Sequence, residues 1–266
     1  MRKRISIYLS MILLIVLFFP ITIFATEFTS PLTDLNPVLC YVYTPNNTNV
    51  ECYTQDEFFD NSLSIEAVLD QISEKFPNVT ILGNPTTKYN CHSYAWYSRL
   101  LTNDKWMNDP SAYFTDYSYF ESTEQVGDIV VYFDDYNNPI HSGVVIARLA
   151  GDAEENYNGL NLLRIRSKWG PYSLIEHNGK DCPWLTGDFG EEIVSYIKYY
   201  SHNHRYTAPI SYSTNYHRMY CTYAVCDNYV DEAHTFVRIG IKQRCSVCGY
   251  ILGSSTIQPY NNEECE

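Results

Sequence analysis

Between Gly127 and His177 the chain passes through four strand-like stretches separated by turn signals, and this succession most restricts how it can fold. Gly127-Asp128 leads into Ile129–Phe133, and the turn Asp134–Pro139 leads into His141–Ala147. A polar loop from Gly151 to Gly159 leads into Leu162–Ser167, and Lys168–Pro171 turns into Tyr172–His177. β-Branched and aromatic residues fill the runs, while Gly, Pro, Asn and Asp fill the gaps. The pattern is an antiparallel meander. Ahead of it, Ile65, Val68, Leu69, Ile72 and Phe76 recur at helical spacing, with Glu66 early, Lys75 late and Pro77 as a stop. Helices followed by a meander give an α+β fold class.

A second helix is expected to start at Cys91 and run to about Leu101, with Asn90 as its N-cap. A cysteine there meets unpaired backbone N–H groups, which favour a thiolate. A thiolate acting as nucleophile needs a base. The best candidate is His141, which opens a strand right after Asn138-Pro139-Ile140 and is followed by Ser142-Gly143-Val144-Val145. Gly143 leaves room for a close backbone or substrate approach. Pairing Arg148 with Asn161 across the 149–160 loop puts His141 beside residue 167 or 168. Lys168 has only donors and cannot accept an imidazole proton, whereas Ser167 can. Ser167 is therefore the expected third member, with His177 on the next strand as the alternative. The Cys91 N–H and the Asn90 side chain are the candidate oxyanion donors.

Both ends differ from this middle. Met1-Arg2-Lys3-Arg4 precedes an apolar run from Ile5 to Phe24 that closes at Ala25, the form of a secretory signal over residues 1–25. The competing reading is an uncleaved anchor, and no later stretch is apolar for long enough to span a membrane. Three of the 18 Lys and Arg residues and none of the 31 Asp and Glu lie in that segment, so the remainder carries a net charge near −16. Such a surface repels nucleic acid and anionic membranes. Residues 26–60 read as an irregular extension with two short strands, Val38–Tyr43 and Val50–Tyr53, placing Cys40 and Cys52 as a candidate bridge. Residues 61–200 hold the helices and meander, closed by an amphipathic stretch Glu191–Tyr200. The aromatic run 111–122 is either a groove wall or buried packing. Composition shifts near residue 201, and residues 201–266 are rich in His, Cys and Tyr.

Nine cysteines leave one unpaired in an oxidising exterior unless a metal takes some. Cys221-x4-Cys226 and Cys245-x2-Cys248-Gly249 have zinc-ribbon spacing, with His217 and His234 in the same window as alternative ligands. A segment this short and this poor in apolar residues needs such a staple, so a structural zinc held by Cys221, Cys226, Cys245 and Cys248 is expected. The competing reading is two disulfides. With Cys91 as nucleophile, Cys40, Cys52, Cys182 and Cys265 remain for two pairs.

Asn90-Cys91-x-x-Tyr94-Ala95-Trp96, Gly127-Asp128-Ile129-Val130-Val131 and His141-Ser142-Gly143-Val144-Val145, with a strand ending at Trp169, resemble the CHAP amidase family. More broadly they resemble the NlpC-type, papain-like cell-wall peptidases. The resemblance covers roughly residues 60–200. It departs from the family at His92, where a small or hydroxyl residue is usual, and at Arg166-Ser167-Lys168, where a carboxylate or amide usually ends the third strand. It implies a papain-like helix-plus-sheet domain with Cys91 and His141 as catalytic pair. It further implies thiol acyl transfer on a peptidoglycan amide by a secreted, extracellular or wall-associated enzyme. Two other readings stand beside it: a degenerate domain kept as a wall or glycan binder, and an acyltransferase.

Overall fold

The computed structural model describes residues 37–56, 64–154, 157, 159–187 and 194–253. Residues 1–25, expected to be a secretory signal, and Cys265, with its suggested pairing to Cys182, lie outside the described residues.

Strands β1 (Val38–Tyr43) and β2 (Asn49–Thr54) form a hairpin in which Cys40 stands opposite Cys52; both are free thiols. Helix α1 (Ile65–Lys75) follows, capped by the Ser64 hydroxyl, which accepts from Ala67 N–H at 3.1 Å. Its Val68 and Ile72 bury against Trp169 and Ile175, and the fully buried Ile72 side chain alone is worth about 1.5–3 kcal/mol. After β3 (Thr80–Ile81) come α2 (Cys91–Trp96), α3 (Ala112–Thr115) and β4 (Phe120–Ser122). Then follow β5 (Ile129–Phe133), β6 (Pro139–Arg148), β7 (Leu163–Lys168) and β8 (Leu174–Asn178), the expected meander. Helix α4 (Pro183–Thr186) and β9 (Tyr196–Ser201) complete this region. The tail carries β10 (Ile210–Ser211), β11 (Tyr216–Tyr220), β12 (Tyr229–Ala233), β13 (Phe236–Ile239) and β14 (Lys242–Cys245).

The chain is thus mixed α+β, with short helices against antiparallel sheets. The central sheet has seven strands in the order β3-β8-β7-β6-β5-β9-β4. Strand β5 is buried along its whole length because both faces are covered. Ile129, Val131 and Phe133 enter one core, and Val130 and Tyr132 the other. A strand covered on both sides reads as a continuous apolar run.

One element departs from expectation. Helix α2 ends at Trp96, well short of Leu101. Tyr97 N–H and Ser98 N–H both turn to the Ser93 carbonyl at 3.0 Å, and the Asn103 amide holds Ser98 O at 2.9 Å. The described part of the amphipathic stretch Glu191–Tyr200 enters strand β9, between β5 and β4. Its side chains alternate, Tyr196 and Tyr200 toward one core and Ile197 and Tyr199 toward the other, which is a strand period of two. The aromatic run 111–122 is largely packing: Tyr113, Tyr119 and Phe114 surround Trp96 at ring-centroid distances of 5.4, 5.0 and 5.9 Å. Composition does change at residue 201, but the core does not stop there. Cys221, Tyr223 and Val225 of the tail are buried in the same cluster as Trp96 and Tyr119.

Candidate active site and metal centres

Helix α2 is fixed by Asn90. The Asn90 Oδ1 accepts from Ser93 N–H at 3.1 Å and from Met107 N–H at 3.2 Å, while its Nδ2 donates to Met107 O at 2.6 Å. Asn90 is therefore the N-cap and the tie to the following loop. Its bonding is spent on structure, which removes the ground for assigning it an oxyanion role.

The Cys91 sulfur is buried beside strand β6, with the N–H groups of Ser142, His92 and Cys91 itself directed at it. Burial nonetheless dominates and pushes the thiol up to about 11, against these donors and the charge of Lys168. The expectation of a resting thiolate fails here: a single turn of helix and three N–H groups do not repay the lost solvation. Lys168 was set aside in the sequence as a poor imidazole partner. It is fully buried, bonded to the carbonyls of Thr86 (2.8 Å) and Gly170 (2.6 Å), and its charge favours the Cys91 thiolate.

His92 is not a surface residue. The Ser142 hydroxyl lies 2.8 Å from His92 Nδ1 and accepts from Trp96 Nε1–H at 3.1 Å, which anchors α2 on β6. Burial lowers the His92 pKa to about 4. Because neighbouring side chains on a strand point to opposite faces, His141 projects away from this anchor into the second core layer. Its ring stacks on Trp184 at 3.8 Å and 13°, with Tyr132 at 5.4 Å. Both ring nitrogens are buried and neither has a hydrogen-bond partner. Burial, then the charges of His177 and His92, hold its pKa well below the usual range.

The β6–β7 register explains why Ser167 does not orient His141. Val144 pairs with Arg166 and Arg148 with Leu163, beyond the expected Asn161, so Ser167 falls across from Gly143. A Cβ on Gly143 would meet Ser167 Cβ at 3.2 Å and Ile165 Cγ2 at 2.7 Å, so only glycine lets these strands close. The Ser167 hydroxyl lies 3.0 Å from His177 Nε2 and accepts from Trp169 Nε1–H at 3.1 Å. His177 Nδ1–H in turn donates to Asn178 O at 2.7 Å, and burial lowers its pKa to about 4. The two candidates for third member, Ser167 and His177, are thus bonded to one another. Two clefts of about 580 and 380 Å³ open on the surface, and neither is lined by Cys91, His141 or Ser167.

The tail cysteines do not converge on one centre as expected. Cys221 and Cys226 join His202 and His204, whereas Cys245 and Cys248 join His217 and His234. Within each group all four ligand atoms lie within 4.8 Å of one another. His202 and His204 follow directly on β9, at the very start of the tail, whereas the cysteine window in sequence takes in only His217 and His234. The His202-x-His204 pair next to a strand end was the available signal. These groups are compatible with structural metal. In the second group burial raises the Cys245 thiol, but N–H groups of Cys248 and Val247 outweigh it and bring the group to about 6. That is the behaviour of a knuckle turned toward its sulfur, and Gly249, at φ 79°, makes the turn.

Comparison of the chain with protein-family models, with curated proteins and with solved structures returns no match.

Proposed function

We propose that this chain is a secreted cysteine amidase acting on peptide amides, with peptidoglycan as the substrate class and Cys91 and His141 as the reacting pair. The observation that carries this reading is the His141 ring: fully buried, with two unpartnered nitrogens, one residue from the Ser142 N–H that meets the Cys91 sulfur. Leaving a buried polar group unsatisfied costs about 1–3 kcal/mol per group, and a fold tolerates that where the group has work to do. The motif resemblance over residues 60–200 supports the papain-like plan and the wall substrate.

In this reading His141 takes the Cys91 proton once substrate has entered. The sulfur attacks the amide carbonyl, and the N–H groups of Cys91, His92 and Ser142 stabilise the developing oxyanion or sulfur charge. The amine leaves with the proton from His141, and water attacks the thioester with His141 as base. Lys168 assists by favouring the anionic sulfur. For this sequence to begin His141 must leave its stack with Trp184 and reach the face of β6 that carries Ser142 and α2. The tail supplies structural zinc rather than catalysis, since a centre whose four positions are filled by protein has none open for substrate.

A second reading, a wall-binding protein without turnover, is favoured by the raised Cys91 pKa and by ring nitrogens of His141 that meet no hydrogen-bond partner. Intact-mass spectrometry after acid quench with peptidoglycan fragments separates the two. The amidase accumulates a thioester on Cys91 that Cys91→Ala cannot form. No adduct, with equal wall binding by both proteins, leaves the binder.

A further inference from the structure

We propose that the tail holds two zinc ions, not one, and that the first is a clasp fastening the tail to the edge of the central sheet. This deepens the structural-metal reading above and does not depend on catalysis at Cys91.

The geometry points to metal in both groups. Cys221 Sγ lies 3.5 Å from His202 Nε2, and Cys226 Sγ lies 3.5 Å from His204 Nδ1. In the second group Cys248 Sγ is 3.5 Å from His234 Nδ1, and Cys245 Sγ is 4.0 Å from His217 Nδ1. A tetrahedral zinc with ordinary Zn–S and Zn–N bonds has an S···N edge of about 3.6 Å, so these separations are those of ligands around one ion. A set of two sulfurs and two imidazoles suits zinc among the common metals. The far ring nitrogens in the second group are also set for it. His217 Nε2 is 3.2 Å from the Glu232 carboxylate and His234 Nε2 is 2.9 Å from Ser213 O. Each partner accepts a proton, which leaves Nδ1 bare toward the centre. On filling, each cysteine that is still a thiol releases its proton to solvent as its Zn–S bond forms. Two thiolates then balance the dication, so the partly buried centre carries no net charge.

The first group spans two parts of the chain. His202 and His204 follow directly on β9, whose Ser201 pairs with Phe120 of β4 at the sheet edge. Cys221 and Cys226 come from the tail. Between them Tyr223 stacks on the His202 ring at 4.1 Å and donates from its hydroxyl to Ser118 O at 3.1 Å. The second group lies wholly within the tail, uniting β11, the end of β12 and the knuckle after β14. Strand β11 carries His217 and runs into Cys221, so one strand joins the two centres, its ligands about 13 Å apart along the chain.

The test is metal content of the full chain purified with reductant, by elemental analysis, together with hydrogen exchange. Two zinc ions per chain are expected. Cys226→Ser should keep one and raise exchange at residues 118–120 and 202–228. Cys248→Ser should keep one and raise exchange only around 234–250. His204→Cys, which preserves a tetrahedral donor set, should keep both ions and the protection. Should the serine variants fail to fold, cobalt titration of the unaltered chain decides. Two equivalents giving thiolate-to-cobalt charge transfer support the proposal. One ion or none in the unaltered chain, or Cys221–Cys226 or Cys245–Cys248 recovered as disulfides, overturns it. A Cys226→Ser chain with one ion but unchanged exchange at 118–120 overturns the clasp. Two ions in a chain that never turns over peptide amides would leave this proposal standing and the amidase reading fallen.

Discussion

His141 lies face to face with Trp184, ring centroids 3.8 Å apart and planes within 13°, while both of its nitrogens lack a partner. Stacking can hold an imidazole in place, but it cannot satisfy a buried N–H. Phenylalanine keeps the stack and discards the unsatisfied atoms. His141→Phe should therefore leave the protein as stable at neutral pH or more so, by about 1–3 kcal/mol in urea unfolding, while abolishing turnover. A loss of stability there would show that the ring has partners in solution.

The same residue sets a pH dependence. Burial lowers the folded pKa of His141 below 6.5, and of His92 and His177 to about 4. The unfolded chain then binds protons more readily than the folded one between roughly pH 6.5 and 4. Stability is complete above that window and falls as pH drops through it, by about 1.4 kcal/mol per pH unit for each histidine at its lower end. Urea midpoints measured from pH 7.5 to 4.5 should fall steeply, and less steeply in His141→Phe.

Cys91 should resist alkylation. A thiol raised to about 11 is ionised, at pH 7.5, some hundreds of times less than a free cysteine, on the order of 300-fold. Peptide mapping after iodoacetamide should find Cys91 protected in the native chain and modified in urea. Rapid native labelling would mean that the sulfur is solvated and its charge stabilised.

Asn90→Ala should cost about 2–4 kcal/mol, the sum of a lost helix cap and two buried Met107 backbone groups left without the amide. Chemical denaturation measures it. A cost below 1 kcal/mol would mean that water or another side chain takes over the cap.

Much of the frame was legible because local chemistry decides it. Ser64 and Pro77 bound α1, Asn90 caps α2, and Gly, Asn and Pro mark every turn of the meander. What failed was what tertiary contact decides. The β6–β7 register runs one residue off the expected pairing at Val144 and two at Arg148, with an irregularity between Val145 and Ala147, and this puts Ser167 across from Gly143 rather than beside His141. Nothing local announces that slip. The thiolate expected at Cys91 was read from helix position alone, whereas burial beneath β6 governs its charge. His202 and His204 fall inside the tail 201–266 but were passed over because only His217 and His234 lie in the window of the four cysteines, whereas the fold brings the start of the tail back onto Cys221 and Cys226.

The central claim is that Cys91 and His141 cleave amides, and product analysis tests it most directly. Purified peptidoglycan is incubated with the unaltered chain, Cys91→Ala and His141→Phe, and released amines and carboxylates are counted by mass spectrometry. The account predicts new amide-cleavage termini with the unaltered chain and none above background with either variant. Equal release by all three, or none by any, would contradict it.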